Sequence, residues 1–115
     1  MTPQAIVLLV ATAAAFAGQG LDSYTSYEGI FVKKIATEGS TSFFAKLFTS
    51  NKYLCLLAKP SLVILITVAM LAAGFDGFAL LGAAALQSTF AVLGFQAGRH
   101  NLVVNAAQAL AQAKK

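Results

Sequence analysis

The sequence predicts an all-α integral membrane fold. Its parts are three transmembrane helices, a short interfacial helix in the first loop and an amphipathic C-terminal helix, all within one membrane domain over residues 1–115. Three observations predict it. Hydrophobic residues make up 58% of the chain, charged residues only 10%, and the mean hydropathy is +0.76. Soluble domains carry about 25% charge, and a short chain this apolar could not hide its surface from water. The apolar residues fall into three stretches, at about 4–27, 54–74 and 77–98. The eight Lys and Arg residues are placed with one bias: none precedes the first stretch and none lies between the second and third.

That bias sets an orientation. Lys33, Lys34, Lys46, Lys52 and Lys59 cluster after the first stretch, and Arg99, Lys114 and Lys115 follow the third. Cytoplasmic loops collect Lys and Arg. The expected topology is N-terminus out, segment 28–53 in, the turn near Asp76 out and the C-terminus in, across a bacterial inner membrane or an organelle inner membrane.

The first span opens Met1-Thr2-Pro3-Gln4, with Thr2 as cap and Pro3 in the first turn. No basic residue precedes Ala15-Phe16-Ala17, so this segment reads as a span rather than as a cleaved leader. Thr12, Ala15, Gln19, Asp22 and Ser26 recur at spacings of 3, 4, 3 and 4, on one helix face. Such a face is expected to pack on protein rather than lipid.

In the first loop, Phe43, Phe44 and Phe48 beside Lys46 suggest a short helix, either anchored at the interface or packed on neighbouring protein. The second span carries Lys59-Pro60 one turn inside its start, a position where proline is tolerated. Gly74-Phe75-Asp76-Gly77 reads as a tight outer turn. In the third span Gly77, Ala84, Gln87, Ala91, Gly94 and Gly98 share a heptad-like face completed by Leu80. Small residues let helices approach closely, so this face, with Gln19 of the first span, is expected to form helix contacts, within the chain or with another subunit. Arg99 and His100 follow as anchors at the inner boundary. In the tail Asn101, Asn105, Gln108, Gln112 and Lys115 line one face, and Val103, Ala106, Ala107, Leu110 and Ala113 the other. The tail is expected to be helical, as a continuation of the third span or as a helix of its own, and to lie on the membrane or dock on a partner.

Asp22 and Lys59 are the residues with most chemical content. Asp22 lies 18 residues beyond Gln4 and Lys59 lies 16 residues before Phe75. At about 1.5 Å per residue these are depths of roughly 27 and 24 Å from the outer side. Each is therefore the other's best partner, as an intramembrane ion pair near the inner boundary. A structural pair is the expected role, and a proton or ion relay the sharper alternative.

The remaining chemistry is sparse. Cys55 is the single cysteine and excludes an intrachain disulfide. His100 has no carboxylate or thiol at ligand spacing, so no metal site is expected. Four acids and one His assemble no nucleophile, base and orienter, and no phosphate loop, so no enzyme and no cofactor are expected. The net charge of +4 is scattered and lacks interleaved aromatics, which argues against nucleic acid. The expected partners are membrane lipid and other membrane subunits, or copies of the same chain.

Leu21-Asp22-Ser23-Tyr24-Thr25-Ser26 resembles a pattern in a family of small prokaryotic membrane proteins of unknown function. There Leu-Asp-x-x-Thr-Thr ends the first span and a Lys opens the second. Leu21, Asp22, Thr25 and Lys59 match, and Ser26 replaces the second Thr. The family's later Glu-x-Asn-Pro is echoed only by Glu38-Gly39-Ser40. The resemblance implies that Asp22 and Lys59 pair, and brings no activity. The three-span plan with a basic tail is also similar to one class of phage holins. The expected function is thus a non-enzymatic structural or accessory membrane subunit. The alternatives are a holin-like or small-channel pore former and a proton-relay subunit.

Overall fold

The computed structural model of the chain describes residues 2–32 and 51–114. Three long helices make up nearly all of it: α1 (Pro3–Tyr27), α2 (Lys52–Ala72) and α3 (Gly77–Ala113). No strand occurs among the described residues. All three helices are long and apolar enough to cross a membrane. The expected interfacial helix at Phe43, Phe44, Lys46 and Phe48 lies outside the described residues.

The helix starts follow their local chemistry. Thr2 caps α1, its Oγ1 accepting from the Ala5 amide at 3.2 Å, with Pro3 next in the first turn. Asn51 caps α2 by accepting from the Tyr53 amide at 2.8 Å. Pro60 sits inside α2, where its ring removes one backbone hydrogen bond. The α2–α3 turn rests on Gly74 and Gly77, at φ of +84° and +52°. Those left-handed conformations are ones that side chains with a Cβ rarely adopt.

α1 ends in a π-helical turn, Glu28–Val32. α3 runs without a break through Arg99 and His100 to Ala113. The tail is therefore a continuation of the third helix rather than a helix of its own. Nothing between Gly98 and Ala113 interrupts it, since the sequence there holds no Pro or Gly. At about 1.5 Å per residue this one helix is roughly 55 Å long.

α1 is the central element. It packs closely along both α2 and α3, whose own backbones approach each other at few points. α1 and α3 run parallel, because Leu8 lies against Leu80 and Ala84, and Thr25 against Asn105. The seam has a strict heptad spacing on both sides. Leu8, Ala11, Ala15, Gly18, Asp22, Thr25 and Gly29 of the first helix and its π turn are buried. Leu80, Ala84, Gln87, Ala91, Gly94, Gly98 and Asn105 of α3 are buried at the same 3.5-residue period. That period keeps one stripe facing its neighbour along the whole contact.

Small residues make the contact close. A Cβ at Gly18 would lie 2.6 Å from the Ala91 carbonyl oxygen. A Cβ at Gly94 would lie 2.6 Å from the Gln19 nitrogen and 2.7 Å from the Gly18 oxygen. A Cβ at Gly98 would meet the Leu21 side chain at 2.6 Å. The Gly94/Gly98 pair thus serves a contact within this chain. Gly77 shares the heptad phase but sits at the turn, with open space where a Cβ would be. It takes no part in the packing of α3 on α1 within this chain.

The outer surface is the reverse of a soluble protein's. Only 28%, 22% and 33% of the three most apolar windows is buried in the bundle. Val10, Leu65, Phe78 and Val92 are among many large apolar side chains left exposed.

Candidate functional site

The polar side chains of α1 form three groups down its length, each bonded to a neighbouring helix. The first is centred on Gln87, which is fully buried. Gln87 Nε2 donates to Val63 O at 3.0 Å and to Thr67 Oγ1 at 2.7 Å. Thr67 Oγ1 lies 2.7 Å from Thr12 Oγ1, which donates to Leu8 O at 2.7 Å. Each hydroxyl has a single proton, so the order follows: Gln87 to Thr67, Thr67 to Thr12, Thr12 to Leu8. This chain ties all three helices together. Gln87 Oε1 is buried without a hydrogen-bond partner.

The second group is Gln19, whose Nε2 donates to Phe90 O at 2.7 Å. It stands one residue from Gly18, where a Cβ would run into the backbone of α3.

The third group surrounds Asp22, which is 7% exposed. Lys59 Nζ lies 2.7 Å from Asp22 Oδ2. Asn101 Nδ2 lies 3.0 Å from Asp22 Oδ1, 3.0 Å from Thr25 Oγ1, 3.0 Å from Ser26 Oγ and 3.3 Å from Asp22 O. Its two protons are shared among four oxygens. Thr25 Oγ1 donates to Leu21 O at 2.8 Å and also lies 3.1 Å from Asp22 O. One turn on, Asn105 Nδ2 donates to Thr25 O at 3.0 Å. Gly29, in the π turn, lies so close to Asn105 that a Cβ there would overlap its side-chain amide. The π turn and the glycine together open α1 to this asparagine, and π turns recur at sites with special roles.

The residues expected from sequence fall into two sets. Asp22, Lys59, Gln19, Ala84, Gln87, Ala91, Gly94 and Gly98 come together in the bundle interior. Arg99 and His100 are exposed on α3 and join no group. Thr67, Asn101 and Asn105 were missing from the expected site. Thr67 was visible as the one polar residue in the core of the second span. The asparagines continue the heptad 84, 87, 91, 94, 98 at 101 and 105, a signal the sequence held.

Cys55 is buried, its Sγ 4.0 Å from Ser23 O. Ser23 Oγ is buried and has no hydrogen-bond partner. No group of metal-ligating side chains occurs among the described residues. No family model, no curated protein and no solved structure matches the chain. The resemblance carried by Leu21, Asp22, Thr25 and Lys59 gains no support from them.

Proposed function

We propose that the chain is a non-enzymatic integral membrane subunit. In this reading it packs as a sealed three-helix unit against partner subunits or further copies of itself. Its N-terminus faces out and its C-terminus in, following the one-sided placement of its Lys and Arg residues.

One observation carries the reading. The polar groups on the three helices bond to one another inside the bundle, while the outside is apolar. In lipid an unsatisfied polar group costs several kcal/mol, so a membrane bundle turns such groups inward. A pore former needs Thr12, Gln19, Asp22 and Ser26 to line water. Here Thr12 and Asp22 are 6% and 7% exposed, and all four bond to neighbouring helices or lie against them. The relay reading is favoured by one feature alone, the Lys59–Asp22–Asn101 line at the inner end.

What remains for partners is the outer surface. Beyond Asn105, residues 106–113 of α3 are all exposed. This rod projects past the bundle with Ala106, Leu110 and Ala113 on one face, a shape suited to docking.

Liposome reconstitution tests the choice. The sealed-subunit reading expects proton and ion leakage equal to that of empty liposomes. Leakage that Asp22→Asn abolishes would replace this reading with the relay, and leakage of small solutes as well would replace it with the pore.

A further inference from the structure

α2 and α3 both lean on α1 and meet each other through the Gln87 contacts, and below these the gap between them is a groove of about 190 Å³. Leu62, Val63 and Ile66 of α2 form one wall, Phe90 of α3 the other, and Gln19 of α1 the floor. Lys59 lines its inner end, with the side chain 36% exposed. Lys52 precedes Lys59 by seven residues on the same helix, hence on the same face, about 10 Å further toward the inner end. Lys52 is exposed, with its ammonium 5.1 Å from the Tyr53 ring centroid.

The groove therefore changes character along its length, from cationic at the inner end to mainly apolar beyond Lys59, where Gln19 is the one polar side chain lining it. Asp22 Oδ2 already takes one contact from Lys59 and offsets its charge. Lys52 supplies the surplus that favours an anion. The volume corresponds to roughly six groups of water size, each about 30 Å³. That admits a run of methylenes but not a helix, which is about 10 Å across with its side chains.

We propose that this groove seats a stretch of one acyl chain of an anionic phospholipid of the inner leaflet, with the phosphate drawn to Lys52 and Lys59. The proposal rests on the membrane reading above and adds a specific lipid site to it. A lysine ammonium binds phosphate as a point charge, so selectivity is for head-group charge rather than shape.

The test uses the full chain in phosphatidylcholine vesicles, with traces of spin-labelled phosphatidylglycerol or spin-labelled phosphatidylcholine. The motionally restricted fraction of each label is measured. The expected result is at least a fivefold preference for phosphatidylglycerol, the equivalent of about 1 kcal/mol for a lysine near an anionic surface. Lys52→Gln brings that preference toward parity without touching the Asp22 pair. Ile66→Phe fills the groove and lowers restriction of both labels, whereas Val92→Phe, at an exposed site that does not line the groove, leaves both unchanged. Equal restriction of the two labels in the parent chain, or an Ile66→Phe variant identical to it, overturns the lipid site. Failure of the chain to float with the vesicles at all overturns the membrane reading itself, and is read before any label is examined.

Discussion

Adding one methyl group at Gly94 tests how the bundle is held together. The new Cβ would lie 2.6 Å from the Gln19 nitrogen and 2.7 Å from the Gly18 oxygen, whereas ordinary contacts begin at 3.4 Å. Both neighbours are backbone atoms of α1, so no side chain can swing aside. The Gly18 carbonyl carbon would be nearer still, so the helices must part by more than the difference, 3.4 − 2.6 = 0.8 Å. A gap of 0.5–1 Å forfeits about a quarter to a half of the dispersion attraction of each contact across it. It also draws Asn101 away from Asp22, two turns along the same seam. Overpacking of this kind costs about 1–3 kcal/mol. Gly82→Ala is the matched control, because a Cβ there meets nothing within 4 Å. It should be neutral or gain up to about 1 kcal/mol from reduced backbone freedom. Reversible unfolding in mixed micelles, followed by circular dichroism, measures both. Gly18 and Gly94 face each other, so the double alanine variant should cost less than the sum of the singles. Equal stability of Gly94→Ala and Gly82→Ala would refute the close α1–α3 seam.

Other perturbations address the polar groups and the projecting rod. Asn101→Ala removes hydrogen bonds shared among Asp22, Thr25 and Ser26 and should cost about 1–2 kcal/mol in the same assay. A double-mutant cycle with Asp22→Asn should show coupling above about 0.5 kcal/mol, and strict additivity would deny the contact. Thr67→Val leaves Gln87 with one acceptor fewer and breaks the chain to Thr12, for a loss of about 1–3 kcal/mol. The Gln87→Leu/Thr67→Val pair should recover part of that loss, since it removes the buried donor together with its partner. Removing residues 107–115 should leave bundle stability unchanged, because residues 107–113 are exposed. The same truncation should release partner subunits on blue-native gels, and retention of the full particle would assign docking to another surface. Cys55, 4% exposed, should react with a membrane-permeant maleimide at least tenfold more slowly in the folded bundle than after denaturation.

Much of this architecture was legible because the constraint behind it is severe. A polar stripe on an apolar helix has to face protein, so Thr12, Gln19 and Asp22 announced the inner face of α1. Helix rise alone brought Asp22 and Lys59 to one depth, and the structure holds them 2.7 Å apart. The heptad of small residues on α3 was equally plain, but such a face fits many helices. Only the packing of Gly94 against Gly18 assigns it to this chain. Gly77 shares that phase without joining the seam within this chain, because heptad phase says nothing about where a helix starts, and its φ of +52° belongs to the turn. Read from sequence alone, Asn101 and Asn105 belong to the polar face of a tail that lies on the membrane or docks on a partner. In the fold they reach back to α1, because α3 passes that point unbroken and the π turn with Gly29 brings α1 close. No short-range pattern in the sequence marks a π turn, which depends on packing against the neighbouring helix.

The most direct test of the accessory-subunit account is the mass of the particle that holds this chain after extraction from its own membrane in mild detergent. The account predicts a particle several times the chain's 11.9 kDa, containing other polypeptides or a closed set of copies that conducts nothing. A lone 11.9 kDa chain within its micelle, or a homomeric ring that passes ions, would contradict it.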